Sequence, residues 1–428
     1  MANYLQVVYK ALKNIYKDGA YTNIEINKQL GGVKEDKQLI TKIVYGTVEN
    51  DIKLEYIINS LAPKIKDLPV KMVLKMGGYM ALDLNIPDYA IVNECVKLTK
   101  SLGFTSASGL VNAVLKKIVS KNFSLPDKTN LTKYLSINYS KPEWFVDMVI
   151  RDYGKDMAID YFATKLPPTT TVRVNTAKIS EAKFKVMLDH EGISYEDTPI
   201  GNVLVVDYSK LNGCSKLNGL YTVQNIGSVI ICDTAEVKDG YKVLDTCAAP
   251  GGKSVYLAMK NPKGTVDAWD LHEHRVELVK KYQARMGISN ITTRINDATV
   301  LDKVYIKAFD VVLCDVPCSG LGVASSKPDI LIGKTEESIK DLPELQYKIL
   351  ETCSEYVKLG GAIVYSTCTI NKKENSEVVK RFLAAHPDFK IDYKVPISLP
   401  VVADEYGFTT LANVSKIEGF FVTRMIRV

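Results

Sequence analysis

Several features of secreted and membrane-bound proteins are scarce in this chain of 428 residues. Its eight cysteines are too few and too scattered for a disulfide framework. No uncharged apolar run approaches the roughly 20 residues that span a bilayer. Lysines interrupt what would be the apolar core of a signal peptide in MANYLQVVYKALKNIYKDG. We therefore expect a cytoplasmic protein with reduced thiols and no membrane contact.

Residues with metal-binding side chains are also poorly placed for a structural metal site. The chain has four histidines, and none of them brackets a pair of cysteines. No C-x-x-C spacing occurs, which is the usual arrangement in zinc sites and in redox-active thiol pairs. We expect no bound metal.

Arginine is missing from residues 1–150, which hold 20 lysines against 14 acidic residues. That excess equals the net charge of the whole chain, +6, so the rest of the sequence is neutral. A basic segment of this kind suits a polyanionic partner such as a nucleic acid, although a solvated lysine-rich surface would have the same composition. With 46% hydrophobic and 24% charged residues the composition is that of a globular protein, and the length predicts two or three domains.

The pattern of apolar residues divides the chain into three segments. Residues 1–130 have apolar positions at spacings of three and four, which predicts a helical bundle with a break near Asn50. Residues 131–215 predict one amphipathic helix, then a break at Pro167–Pro168, then a small unit of strand, helix and strand. In residues 216–428 strands alternate with helices, which predicts a mostly parallel, doubly wound sheet with an antiparallel edge.

Ligands of such sheets bind at the carboxyl ends of the strands, and three polar features lie there. The loop DTCAAPGGKS (245–254) follows the first strand, and its glycines allow close approach of a ligand to the backbone. Asp270 ends the second strand, where a carboxylate can bind a ribose diol, and Asp297 follows the third strand, where an adenine edge would lie. Each aspartate alone is as readily a turn or cap residue, but together they predict a nucleoside site.

The same loop also has a partial match to a phosphate-binding P-loop. Gly252, Lys253 and Ser254 fit the end of that motif, and Asp315 would end the magnesium-binding strand. The first glycine of the motif, however, falls on Cys247, so a nucleotide triphosphatase remains only the alternative.

Two cysteines follow neighbouring strands, in DVPCSG (315–320) and YSTCT (365–369). Parallel neighbours would bring Cys318 and Cys368 to one edge of the sheet, where a redox pair is one interpretation and pyrimidine chemistry another. A thiolate that adds to C6 of cytosine makes C5 nucleophilic enough to accept a methyl group. A carboxylate such as Asp315 can hold the N3/N4 edge of the base, and a second cysteine can assist release. Cysteines 95, 232 and 353 are expected to be buried packing residues.

These motifs resemble those of a known family. LDTCAAPGGKS, DVPCSGLG and YSTCTI together are similar to the motifs of RNA cytosine-5 methyltransferases that use S-adenosylmethionine. IVYGTVEN, LNIPDYAIVNECVKLTK and GLVNAVLKK resemble the NusB-like RNA-binding domain, and NYSKPEW and TVRVNT resemble a ferredoxin-like RNA-binding element. The combination resembles the bacterial 16S ribosomal RNA methyltransferase B family over nearly the whole chain.

The resemblance implies a multidomain fold: a NusB-like all-α domain (1–130), a linker helix with a ferredoxin-like α/β element (131–215) and a Rossmann-like methyltransferase domain (216–428). It implies a monomeric enzyme of rRNA processing that forms 5-methylcytosine in ribosomal RNA, most often 16S. A non-catalytic NusB-type RNA-binding or assembly factor is the alternative from another class. The sequence departs from the family pattern where Ser325, Ser326 and Lys327 replace paired arginines, and where Glu418 replaces aspartate.

The resemblance also implies roles for individual residues. Cys368 is expected to be the nucleophile, Cys318 to promote product release, and Asp315 to lie beside the methionine part of the cofactor and the target base. The residues expected to bind S-adenosylmethionine are Cys247, Ala248, Ala249, Pro250, Gly251, Gly252, Lys253, Asp270, Asp297 and Asp315.

Overall fold

The computed structural model describes residues 4–20, 22–33, 36–395 and 399–428. The chain forms two compact units, one of Met1–Ala163 with Lys327–Glu336 and the other of Thr164–Ser326 with Glu337–Val428. Among the described residues, no helix has both the length and the apolar character needed to cross a membrane.

The first unit is built from helices, as the spacing of its apolar residues predicts. They are α1 (Tyr4–Asp18), α2 (Thr22–Leu30), α3 (Lys37–Glu49), α4 (Asp51–Leu61), α5 (Leu68–Asp83), α6 (Asp88–Ser101), α7 (Ser108–Val119), α8 (Leu131–Tyr139), α9 (Glu143–Tyr153) and α10 (Lys155–Ala163). The predicted break at Asn50 is confirmed: this residue separates α3 from α4, and its side-chain amide donates to the Gly46 carbonyl at 2.9 Å. Gly46 itself lies against Tyr79 of α5, so that a Cβ atom there would be 1.9 Å from the Tyr79 Cζ atom.

The helical part is longer than the sequence pattern suggested. We expected one helix over NYSKPEWFVDMVIRDYG, whereas α8, α9 and α10 fill residues 131–163. Ser140 takes a left-handed helical backbone conformation (φ 53°) before Pro142, and Gly154 has a positive φ (86°) with an extended ψ between α9 and α10. These local breaks end each helix after two or three turns, so the apolar stripe of one helix does not continue into the next.

A small antiparallel sheet follows the double proline. Its strands are β1 (Thr170–Val174), β2 (Tyr195–Asp197), β3 (Val203–Val206) and β4 (Tyr221–Val223), in the order β2-β3-β1-β4. Helix α11 (Glu181–His190) packs on it through Phe184 and Leu188, and a short helix, α12 (Tyr208–Leu211), follows β3. The predicted strand, helix and strand are β1, α11 and β3. Strands β2 and β4 have only three residues each, too few to show an alternating pattern.

The large sheet contains the strands β5 (Lys242–Asp245), β6 (Thr265–Asp270), β7 (Ile291–Ile295), β8 (Phe309–Asp315), β9 (Val357–Thr367), β10 (Phe389–Ile391), β11 (Val402–Asp404), β12 (Gly407–Thr409) and β13 (Phe421–Arg427). Their order is β11-β12-β13-β9-β8-β5-β6-β7, and β10 also pairs with β13. The pairs from β9 to β7 are parallel, and β13 joins β9 as an antiparallel neighbour.

Helices lie between most of the parallel strands and also in the connections of the antiparallel edge. They are α13 (Ile226–Thr234), α14 (Gly252–Lys260), α15 (Glu273–Met286), α16 (Glu336–Ile339), α17 (Leu342–Ser354), α18 (Ser376–Ala385) and α19 (Ala412–Ser415). The predicted fold class, a helical domain, a small α/β element and a mostly parallel sheet with an antiparallel edge, is confirmed. The parallel strands place the loops after β5, β6, β8 and β9 at one edge of the sheet, where ligands of such folds bind.

Candidate active site

The glycine-rich loop after β5 is fixed by backbone hydrogen bonds and by its glycines. The Ala248 amide donates to the Trp269 carbonyl of β6 at 2.8 Å, and the Gly251 amide donates to the Ala248 carbonyl at 2.8 Å. Gly251 has a φ of 109°, and a Cβ atom there would lie 3.1 Å from the Val279 Cα atom of α15. Only glycine meets both conditions without strain, and the loop leads directly into the N-terminus of α14.

Asp270 lies at the end of β6 and contacts this loop. Its Oδ2 atom accepts from the Ala249 amide at 3.0 Å, and its Oδ1 atom pairs with the Arg275 Nε atom at 2.9 Å. The carboxylate is 6% exposed and keeps unused lone pairs for a further donor. Asp270 therefore holds the loop in place and is available to a ligand that reaches the end of β6.

Asp297 has a more local environment. Its Oδ1 atom accepts from the Thr299 amide at 2.9 Å and from the Thr299 hydroxyl at 2.7 Å, and these bonds lower the pKa of Asp297. The carboxylate thus stabilises the turn after β7. Its proposed position beside an adenine stays a prediction.

A cavity of about 220 Å³ opens beside the glycine-rich loop. It is lined by Val223, Gln224, Asn225, Ser228, Asp245, Cys247, Ala248, Ala249, Pro250, Gly252, Lys253, Tyr282 and Asp315. Most of the predicted cofactor residues are in this group, but Gly251, Asp270 and Asp297 do not line the cavity. Asp270 contacts the loop through the Ala249 amide. Gln224 and Asn225 were not predicted as site residues, although they follow a strand as the aspartates do. Tyr282 was not predicted either, and Asp245 was named only as the first residue of the glycine-rich loop.

Acidic side chains outnumber basic ones on the cavity wall. The Lys253 Nζ atom lies 2.5 Å from the Asp315 Oδ2 atom, and the Asp315 Oδ1 atom accepts from the Ser366 hydroxyl at 2.8 Å. Burial alone would lower the pKa of Lys253, but the Asp315 charge and hydrogen bond raise it, so the lysine stays charged. Burial raises the pKa of Asp245 to about 6, against the hydrogen bond from Ser254, and its Oδ1 atom has no partner in the described part of the chain.

The charged groups on the cavity wall fit S-adenosylmethionine better than a nucleotide triphosphate. The cofactor carries a sulfonium and an ammonium group, and the carboxylates of Asp245 and Asp315 against the single Lys253 favour a cationic ligand. The buried, unpartnered oxygen of Asp245 is an acceptor that a bound ligand or water would satisfy. A nucleotide triphosphate would face these carboxylates, and Lys253 already pairs with Asp315.

The two thiols meet at the ends of β8 and β9. These strands are parallel neighbours in register at Asp315 and Ser366, and the Cys318 and Cys368 Sγ atoms lie 3.2 Å apart. The Cys368 amide also donates to the Cys318 Sγ atom at 3.3 Å. The hydrogen bond with Cys368, burial and the charge of Glu374 raise the pKa of Cys318 well above its usual range, so Cys318 is protonated at neutral pH. Cysteines 95, 232 and 353 are buried, as expected.

Two departures from the family pattern lie close to each other. The Ser326 hydroxyl donates to one carboxylate oxygen of Glu418, and the other oxygen accepts from the Asn225 side-chain amide. Because Asn225 lines the cavity, this cluster connects the loop after the first thiol motif with the cavity wall.

Comparison with protein families gives a match for each segment. The family described as 16S rRNA methyltransferase RsmB/F matches residues 233–426. The NusB family matches residues 3–120, and the ferredoxin-like domain of RsmF/B-like methyltransferases matches residues 141–207.

Relatives match over almost the full length. The chain is 32% identical to the "Probable ribosomal RNA small subunit methyltransferase B" of Bacillus subtilis, covering 98% of this chain and 97% of that protein. It is 28% identical to the "Ribosomal RNA small subunit methyltransferase B" of Photorhabdus laumondii, covering 99% of both. Among solved structures, PH0851 has a TM-score of 0.80 at 24% identity over 98% of this chain and 97% of that one. NSun6 from Pyrococcus horikoshii with SFG has a TM-score of 0.59 at 20% identity, covering 67% and 98%. These two structures share the fold.

Proposed function

The chain belongs to the 16S rRNA methyltransferase RsmB/F family, and from this premise we propose how its own residues carry out the reaction. The enzyme is an S-adenosylmethionine-dependent RNA methyltransferase that modifies cytosine in ribosomal RNA of the small subunit. Neither a triphosphatase nor a non-catalytic assembly factor gains support from the comparisons. The observation that carries the proposal for the site is the 3.2 Å separation of the Cys318 and Cys368 sulfurs, in the loops that follow β8 and β9, of which β8 ends at the cavity-lining Asp315.

We propose that Cys368 is the nucleophile. Its thiolate adds to C6 of the target cytosine, and the electron pair of the C5–C6 bond becomes available at C5. Bound S-adenosylmethionine supplies an electrophilic methyl group to the site. Loss of the C5 proton to a base then restores the double bond and expels the Cys368 thiolate, so the enzyme is regenerated.

We propose that Cys318 assists this release and that Asp315 holds the base. The Cys318 sulfur is close enough to contact the same adduct, since it lies 3.2 Å from the Cys368 sulfur. Asp315 is held by Lys253 and Ser366, so its carboxylate has a defined orientation at the end of β8. A carboxylate there can accept a hydrogen bond from the N3/N4 edge and stabilise the adduct.

The cofactor residues follow from the cavity. We propose that the loop from Cys247 to Lys253 lies along the cofactor, with Asp270 on the ribose and Asp297 near the adenine. The support differs between these residues. The loop lines the cavity and Asp270 contacts the loop, whereas Asp297 stabilises a local turn.

We also propose three functional segments, 1–130 and 131–215 for RNA binding and 216–428 for catalysis, in a monomer that works in the cytoplasm on ribosomal RNA. Each family match falls inside one of these segments. Light scattering of the purified protein would test the monomer, and a dimer at assay concentrations would contradict it.

The roles of the two thiols are tested by separate substitutions. Cys368→Ala should abolish methylation and form no covalent RNA adduct. Cys318→Ala should permit attack and methyl transfer but stall release, so that a protein–RNA species resists denaturation and migrates slowly on a gel. Cys95→Ala is the matched control, because Cys95 is buried in the first unit, and it should methylate without accumulating an adduct. If the adduct accumulates in Cys368→Ala instead, the two roles are exchanged. If both variants still methylate and neither accumulates an adduct, thiol catalysis is wrong.

A further inference from the structure

Glu374 is a buried carboxylate that the reaction scheme above does not use. It lies in the short turn between β9 and α18, six residues after Cys368, and its side chain has no exposed surface. An ionised carboxylate without solvent is costly unless hydrogen bonds surround it. What surrounds Glu374 therefore indicates what it does.

The residues around this carboxylate come from both thiol loops. Its Oε2 atom accepts from the Ser319 amide at 2.8 Å and from the Gln346 Nε2 atom at 3.0 Å. Its Oε1 atom accepts from the Ser319 hydroxyl at 2.5 Å, from the Asn371 Nδ2 atom at 3.1 Å and from the Thr369 hydroxyl at 3.4 Å. All these groups can donate, as an ionised carboxylate, which only accepts, requires. We call this set of residues the carboxylate network.

The network contacts the residues on both sides of Cys318 and the residue that follows Cys368. Ser319 follows Cys318 directly, and Gln346 also donates to the Pro317 carbonyl at 3.0 Å, so the residues on both sides of Cys318 are held. Thr369 follows Cys368 directly, and its hydroxyl lies 2.8 Å from the Ser319 hydroxyl. Cys318 and Cys368 are 50 positions apart in the chain, and Glu374 contacts the neighbours of both.

We propose that Glu374 is a positioning residue that holds the loops after β8 and β9 together and so sets the relative position of the Cys318 and Cys368 sulfurs. The inference rests on the proposed roles of the two thiols. Parallel pairing brings only the strand ends together, since the last paired residues are Asp315 and Ser366. The cysteines lie beyond them. There one backbone hydrogen bond, from the Gly322 amide to the Cys368 carbonyl at 3.1 Å, joins the two loops. The carboxylate network adds side-chain hydrogen bonds to the residues next to each thiol. A displacement of the nucleophilic sulfur by about 1 Å would be enough to slow adduct formation.

Glu374→Gln is the direct test. The amide has the same shape, but its NH₂ group must replace one of the two oxygens, and each oxygen accepts from at least two donors. Methylation kcat should fall on the order of 10–100-fold, because at least two donors lose their acceptor. The dissociation constants for S-adenosylmethionine and for RNA should stay within about twofold, since the network does not line the cofactor cavity.

A control separates positioning from a general loss of stability. Glu25 in the first unit is also buried, 4% exposed, and accepts from the Asn14 and Gln29 amides at 2.6 Å each. Glu25→Ala should lower the melting temperature, because both amides lose their acceptor, without changing kcat. A kcat of Glu374→Gln equal to that of the parent enzyme, in folded protein, would overturn the proposal.

A second variant keeps the test valid if Glu374→Gln does not fold. Ser319→Ala removes one donor and keeps the charge, so it should lower kcat by about 10-fold. In the Cys318→Ala background, Ser319→Ala should slow formation of the denaturation-resistant adduct by the same factor. Where both single variants fold, the double variant Ser319→Ala/Glu374→Gln should be no slower than Glu374→Gln alone, because the hydroxyl then has no carboxylate to hold.

Unchanged adduct formation in Ser319→Ala would contradict the positioning role. Adduct formation lost even in the Cys318→Ala parent would instead contradict the proposed thiol roles.

Discussion

At the scale of single residues, the aspartates at the strand ends differ in the partners that their carboxylate oxygens already have. Both oxygens of Asp270 have partners, yet these partners belong to the cofactor loop and to α15, and the carboxylate remains at the end of β6. The carboxylate of Asp297 accepts hydrogen bonds from the nearby Thr299, two residues further along the same turn. A strand-end carboxylate therefore indicates a ligand site more strongly when it contacts a second loop of that site.

We predict that Asp270→Ala weakens S-adenosylmethionine binding on the order of 10–100-fold, because a hydrogen bond between a carboxylate and a ribose contributes about 1.5–3 kcal/mol. Asp270→Asn keeps an acceptor for the Ala249 amide, so it separates loop positioning from the charge. Equilibrium binding by calorimetry measures both. A dissociation constant unchanged in Asp270→Ala would remove this residue from the cofactor site.

At the scale of elements, the helical unit depends on a close contact between α3 and α5. The Tyr79 ring fills the space that a side chain at position 46 of α3 would need. Gly109, near the start of α7, has no other atom within 4 Å of where its Cβ would be. The two glycines therefore have opposite consequences when replaced, although both lie in helices.

We predict that Gly46→Ala destabilises the helical unit by about 1–3 kcal/mol, since extra volume in a packed core forces side chains and backbone apart. Gly109→Ala should instead stabilise it by about 0.5–1 kcal/mol, because alanine restricts the unfolded chain and favours the helix. Hydrogen exchange of amides in α3, α5 and α7 reports both changes within the full-length protein. Equal effects of the two substitutions would show that the contact with Tyr79 does not limit packing.

At the scale of the whole molecule, the charge is divided unevenly. The basic excess of the chain lies in residues 1–150, and α7 there ends with the exposed pair Lys116 and Lys117. The second unit has a comparable exposed pair, Lys280 and Lys281 of α15. Affinity for RNA that arises from phosphate contacts falls with salt in proportion to the number of contacts.

We predict that replacing Lys116 and Lys117 with glutamine lowers the slope of log K against log salt for RNA binding by about 1.4, or about 0.7 per lost phosphate contact on a single strand. The same change at Lys280 and Lys281 should alter the slope by less. Binding titrations at several salt concentrations give both slopes, with the cofactor affinity as a check on folding. An unchanged slope for the first pair would mean that those lysines are only solvated.

Sequence periodicity determined most of the longer elements and their order. The apolar stripes of α3 and α4 and the alternation of strands and helices after residue 216 depend on how each element buries its own face, which is a local property. The rule that successive crossovers make parallel neighbours was enough to place Cys318 and Cys368 at one edge of the sheet. The cofactor loop was recognisable because glycine permits backbone conformations that other residues avoid.

Only the tertiary structure decided which side chains pair at that edge. The bonds of Asp270 to Arg275, of Lys253 to Asp315 and of Glu374 to Ser319 join residues from different strands, helices and loops. Strand β4, which carries Gln224 and Asn225 to the cavity, has three residues and shows no period. Side-chain partners depend on strand order and on the closure of loops between distant residues. These are properties of the packed chain, and no local pattern of polar and apolar residues contains them.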